Sequence, residues 1–94
     1  MGNVKILKFP VKGYGLISNF RCKRSRLLDI QLQGTQMMCW VETRDEFPDS
    51  EVSLVSVGTG WEVPSEEISG AVYFKTVQDH AGYVWHFYEM RNNK

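Results

Sequence analysis

The chain has 94 residues, of which 43% are hydrophobic, 13% aromatic and 23% charged, with 11 Lys and Arg balancing 11 Asp and Glu. That length is one domain with a thin core, and the aromatic content argues against a disordered chain. No stretch approaches the roughly 20 apolar residues of a membrane helix, no apolar region follows the two early lysines as a secretory signal requires, and cytoplasmic residence is the default expectation.

The N-terminal Met1-Gly2-Asn3 lacks the Ser or Thr that myristoylation wants at position six, where Ile6 stands. Residues 4–9 read as a first strand, ended by Pro10. Lys12-Gly13-Tyr14-Gly15 is a turn or extended connector, and Leu16-Ile17 begins a short second strand. A basic loop follows, carrying Arg21, Lys23, Arg24 and Arg26. Leu28, Ile30 and Leu32 alternate with Asp29, Gln31 and Gln33, a period-two pattern that predicts a strand with one wet face. Gly34 turns the chain back into a return strand over 37–43, giving a hairpin.

Residues 44–50 form a polar loop around Pro48-Asp49, and 52–57 a further strand with apolar residues on both faces. Gly58-Thr59-Gly60-Trp61 is a glycine-rich break, and Pro64 with Glu66 and Glu67 predicts one short helical turn. Residues 71–77 and 83–89 form a closing hairpin, with a polar, frayed tail at 90–94. With no helical pattern long enough for a parallel crossover, the expected fold is all-β: a small antiparallel β-sandwich or partly open barrel of six to seven strands in a single domain spanning 1–94.

No catalytic reading gathers support. The Gly58-Thr59-Gly60 stretch lacks the lysine of a phosphate loop, and it reads as a tight turn. His80 and His86 show no HExxH spacing, and Cys22 and Cys39 no CxxC pairing, so no metal or cofactor is expected. The serines lack a nucleophile elbow. Cys39 sits in the apolar segment 37–41 as a small hydrophobe, and Cys22 lies between Arg21 and Lys23. The chain is therefore expected to be non-enzymatic.

Two surfaces stand out instead. Residues 1–30 hold seven basic residues and one acid, whereas 31–70 hold one basic residue and eight acids. Such segregation predicts opposed patches unless the strands interleave, with Arg21, Lys23, Arg24 and Arg26 as a partner-binding or nucleic-acid-binding loop. The closing hairpin is rich in aromatics, and strand side chains alternate between faces, so they cannot all enter one core. Trp61, Tyr83, Trp85 and Phe87 are the candidate aromatic contact face, for a protein partner or for self-association.

Asp29-Ile30-Gln31-Leu32-Gln33-Gly34, Met38-Cys39-Trp40-Val41, Val57-Gly58-Thr59-Gly60, the segment 74–78 and Gly82-Tyr83-Val84-Trp85-His86-Phe87-Tyr88-Glu89 carry a resemblance. Together they resemble a family of small uncharacterised proteins found in bacteriophages and bacterial genomes, over about residues 5–89. The chain departs from that pattern in its basic 21–26 segment and at Trp61, where relatives carry a histidine. The resemblance implies phage origin and a compact β domain, and it supplies no catalytic or binding residues. The expectation is a phage accessory protein that binds and modulates a host protein, such as a host-defence component, in the host cytoplasm. A virion or assembly accessory protein is the alternative, and a nucleic-acid module using 21–26 the third reading.

Overall fold

Two antiparallel sheets face each other in the computed structural model, which describes residues 2–91. The strands are β1 (Val4–Val11), β2 (Ile17–Cys22), β3 (Arg24–Gln33), β4 (Gln36–Arg44), β5 (Ser50–Gly58), β6 (Val72–Gln78) and β7 (Val84–Glu89). One sheet has the order β1-β4-β3, the other β2-β5-β7-β6. A single 3-10 turn at Ser65–Glu67 is the one helical element among the described residues. The all-β sandwich of seven strands with one helical turn is therefore as the sequence predicts. Of the tail expected to fray, 92–94 lie outside the described residues, while Met90 donates its backbone N–H to the Ser53 carbonyl at 2.9 Å.

Alternation builds the core. β4 points Met37, Cys39, Val41 and Thr43 inward, β5 points Val52, Leu54 and Ser56, and β7 points Trp85, Phe87 and Glu89. Val11 and Ile30 complete the fully buried set from the facing sheet. The two open seams of the sandwich close differently. At the β1–β2 seam, Phe9 stacks on Phe20 with ring centroids 4.2 Å apart and planes 4° from parallel. At the β3–β6 seam the closure is ionic: Lys75 Nζ lies 2.9 Å from Asp29 Oδ1, and Arg24 of β3 reaches past the seam to form a two-pronged pair with Glu89 of β7.

Strand β3 departs from strict period two. Its register against β4 shifts between Leu27 and Asp29, so Leu27 pairs with Val41 and Ile30 with Cys39. Both partners face inward, so Leu27 and Ile30 do too, while Leu28 is lifted out and stands 39% exposed. The sequence pattern placed Leu28 on the apolar face; the bulge reverses it. Strand β5 has apolar residues on both faces, as expected, because the 59–71 connection covers part of its outer side: Val55 and Val57 line a groove with Trp61, Val63 and Ile68.

Candidate functional site

The strand registers define the two ends of the sandwich. Val4 pairs with Arg44 and Val11 with Met37, so one end carries the 23, 44–50 and 90–91 connections. The other carries the 12–16, 34–35 and 79–83 connections, and from it the 59–71 connection crosses back toward the first, because β5 and β6 run in the same direction on either side of β7. The basic segment sits at the first end, and three exposed aromatics, Tyr14, Trp61 and Tyr83, at the second.

The segment 21–26 is not a loop, and this corrects the sequence reading. Arg21 ends β2, Arg24 and Arg26 lie in β3, and only Lys23 connects them. Alternation sends Cys22 into the core and Arg24 across the seam to Glu89. The acidic middle of the chain folds against the remaining basic residues. Arg21 is the cross-strand partner of Glu51, and Arg26 Nε lies 3.7 Å from Glu42 Oε1, which Arg44 Nε also approaches at 3.6 Å. Asp45 and Asp49 line the same surface groove as Arg21 and Lys23. The segregation visible along the chain is thus interleaved in space, and no four-cation face forms from these residues.

The expected aromatic face is likewise redistributed. Phe87 is fully buried and Trp85 is only 3% exposed, so these two belong to the core rather than to a contact surface. Odd-numbered positions of β7 face the opposite sheet, and a sandwich has no second interior to receive them. Tyr83 lies just before the strand and is 60% exposed, and Trp61 is 48% exposed. The residue that joins them is Tyr14, 58% exposed, which the sequence reading did not place in this group.

Tyr14, Trp61 and Tyr83 surround Trp85, with ring centroids 4.7, 5.2 and 6.5 Å from it. Glycines make this close approach feasible. A Cβ on Gly13 would lie 3.0 Å from the Trp85 ring, one on Gly15 3.0 Å from the Trp61 ring, and one on Gly58 2.7 Å from Trp61 Nε1. Tyr14 and Gly15 both have positive φ, at 61° and 73°, in a tight turn closed by Leu16 N–H donating to the Gly13 carbonyl at 3.2 Å. A tyrosine in that conformation costs on the order of 1–2 kcal/mol. Two buried serine hydroxyls hold the turn: Ser18 accepts from Lys12 N–H at 2.8 Å and Ser56 from Gly15 N–H at 3.0 Å. Non-glycine residues held in such conformations by surrounding structure cluster at functional sites.

Asp79 anchors the neighbouring loop. Its carboxylate accepts from Trp85 Nε1–H and from the backbone N–H groups of Ala81 and Tyr83, each at 2.9 Å. The Trp85 bond first, then the Tyr83 and Ala81 bonds, hold the Asp79 carboxyl below the usual carboxylate range. On the outer face of β7, His86 is bracketed by Thr59 Oγ1 at 2.7 Å and Thr76 Oγ1 at 2.9 Å, with Tyr73 OH 2.6 Å beyond Thr76. No carboxylate joins that chain, and both imidazole nitrogens are occupied by hydroxyls. Among the described residues, no cluster of three His, Cys, Asp or Glu side chains is placed to hold a metal. Among the described residues, no helix is long and apolar enough to cross a membrane.

Comparison with known proteins gives one match. The model of a family described as a domain of unknown function, DUF7352, matches residues 3–94. No curated protein and no solved structure matches the chain.

Proposed function

This chain belongs to the DUF7352 family, a domain of unknown function, and from that premise we propose that it is a non-enzymatic binding module. Its contact surface is the aromatic end, where Tyr14, Trp61 and Tyr83 stand exposed around Trp85. The observation that carries this reading is the strained Tyr14 turn: the chain holds a tyrosine at a positive φ that glycine would adopt without strain, and leaves more than half of that residue exposed. Rigid aromatics with little rotamer entropy to lose are the side chains that dominate contact energies in protein interfaces. The partner proposed is a protein; in its fuller form, the chain is phage-encoded and the partner a host protein met in the host cytoplasm. That form rests on the resemblance to small phage and bacterial proteins. A virion role and a nucleic-acid role gain less support, the latter because Arg24 and Arg26 face Glu89 and Glu42.

The test is affinity capture from host lysate with the wild type and two sets of variants. A stoichiometric partner lost with Tyr14→Ala, Trp61→Ala or Tyr83→Ala, and kept with Arg21→Ala plus Lys23→Ala, is the expected outcome. Capture insensitive to the aromatic variants, or lost only with the basic ones, overturns it.

A further inference from the structure

Resting on that binding role, we propose that the slot between Trp61 and Tyr83 takes an organic cation, a quaternary or methylated ammonium head. The cation comes either from a partner's side chain or from a free small molecule.

The open slot of about 250 Å³ is lined by Trp61 and Tyr83, with the nearly buried Trp85 beneath and Gly58 and Gly82 at its border. Sites for drug-sized ligands run from about 300 Å³ upward, so this one suits a single compact head group. Trp61 stands edge-on to Trp85, at an interplanar angle of 87°, and Tyr83 is tilted by 51°. Neither ring lies parallel to Trp85, so the slot is not a stack for one planar guest. A compact cation needs no such stack, since it is attracted to the negative face of an aromatic ring.

Charge favours the same guest. Among the described residues, none that lines it is basic. Asp79 accepts the Trp85 Nε1–H at 2.9 Å, and its carboxyl is held below the ordinary range, so a full negative charge sits against the floor indole at neutral pH. An indole whose N–H donates to a carboxylate carries more electron density on its face. Beyond Trp61 the chain continues through Glu62, Glu66 and Glu67, all exposed, with no basic residue over 59–71. Lys12 and His80 lie in the adjoining groove, on the Tyr14 side. The walls are also preset: Gly58 lets Trp61 lie against the backbone, and Gly82, at φ 92°, allows the tight loop that delivers Tyr83. A site already formed loses little ordering entropy on binding.

The full chain is titrated with choline and with its uncharged carbon isostere, 3,3-dimethylbutan-1-ol, following tryptophan fluorescence and the indole N–H resonances. Choline should bind saturably and roughly tenfold more tightly than the isostere, as expected for a partly desolvated cation on aromatic faces. Binding should be lost in Trp61→Ala and in Tyr83→Ala and kept in Arg26→Ala. Tyr83 is so exposed that its replacement tests the site even if Trp61→Ala does not fold. A trimethyllysine peptide that binds more tightly than choline identifies the side-chain source; equal or weaker peptide binding identifies the free molecule. Equal affinity for choline and its isostere overturns the proposal, as does the absence of saturable binding, or preference for a proline-rich peptide. If choline fails while the aromatic variants still lose a captured protein, the cation falls and the contact surface stands.

Discussion

Arg24 and Glu89 show how one residue's role depends on what faces it. The Glu89 side chain is 7% exposed, and Arg24 supplies both prongs of its pairing, with Arg91 Nη2 more distant at 3.5 Å. Removing Arg24 strands a largely buried carboxylate, which typically costs about 3–5 kcal/mol. Arg24→Ala should therefore destabilise the fold far more than Arg21→Ala, which is expected to stay within about 0.5 kcal/mol, as judged by denaturant unfolding. Asp79 gives a pH test. Its folded pKa is depressed, so its contribution is complete above the unfolded value of about 3.9 and disappears as pH falls through the lower folded value. Asp79→Asn should be less stable than wild type at neutral pH, and the two unfolding curves should converge in strong acid. Asp29 adds to the same acid sensitivity. Burial acts to raise its carboxyl, but hydrogen bonds from Lys75, Gln31 and the Ile30 N–H outweigh that and lower it.

At the scale of the element, β3 and the 71–77/83–89 hairpin separate what periodicity can and cannot tell. The closing hairpin is legible because aromatic and β-branched residues flank a short polar loop, and the structure places it as β6 and β7. Strand β3 is legible as a strand, but its inward set is not, because an inserted residue resets the alternation. The consequence is measurable. Ile30→Ala should cost about 2–5 kcal/mol, whereas Leu28→Ser should fall within about 0.5 kcal/mol, although strict alternation would make the two equal. A register shift in the other sheet, between Tyr73 and Lys75 of β6, brings Lys75 opposite Phe87 and leaves its ammonium within reach of Asp29 across the seam. Nothing local in the sequence announces either shift, since a bulge forms where two strands must match, and the match involves both.

The whole molecule is a thin slab, 47 × 36 × 15 Å, with one layer of side chains between its sheets. In such a slab every inward residue is core, and Cys22 and Cys39 report on it. Burial pushes the Cys39 thiol up to about 12, and the Cys22 thiol is raised first by burial and then by Asp49. Both thiols should resist alkylation in the native protein, Cys39 more than Cys22, and react at the rate of an unfolded peptide in denaturant. Fast native labelling of Cys39, followed by mass spectrometry, would contradict the packing described. The amino-acid sequence by itself determined that the fold is all-β and antiparallel, because alternation, glycine turns and the lack of any crossover helix are local properties. It also determined that aromatics exceed what one thin layer can enclose. Only the tertiary structure decided which of them stay outside. Facing sheets bury Trp85 and Phe87 and leave Trp61 and Tyr83 at the rim, and a strained turn from 45 residues or more away along the chain sets Tyr14 beside them. The same interleaving of distant strands brought acids to the basic segment, because charge on a surface depends on neighbours in space rather than in sequence.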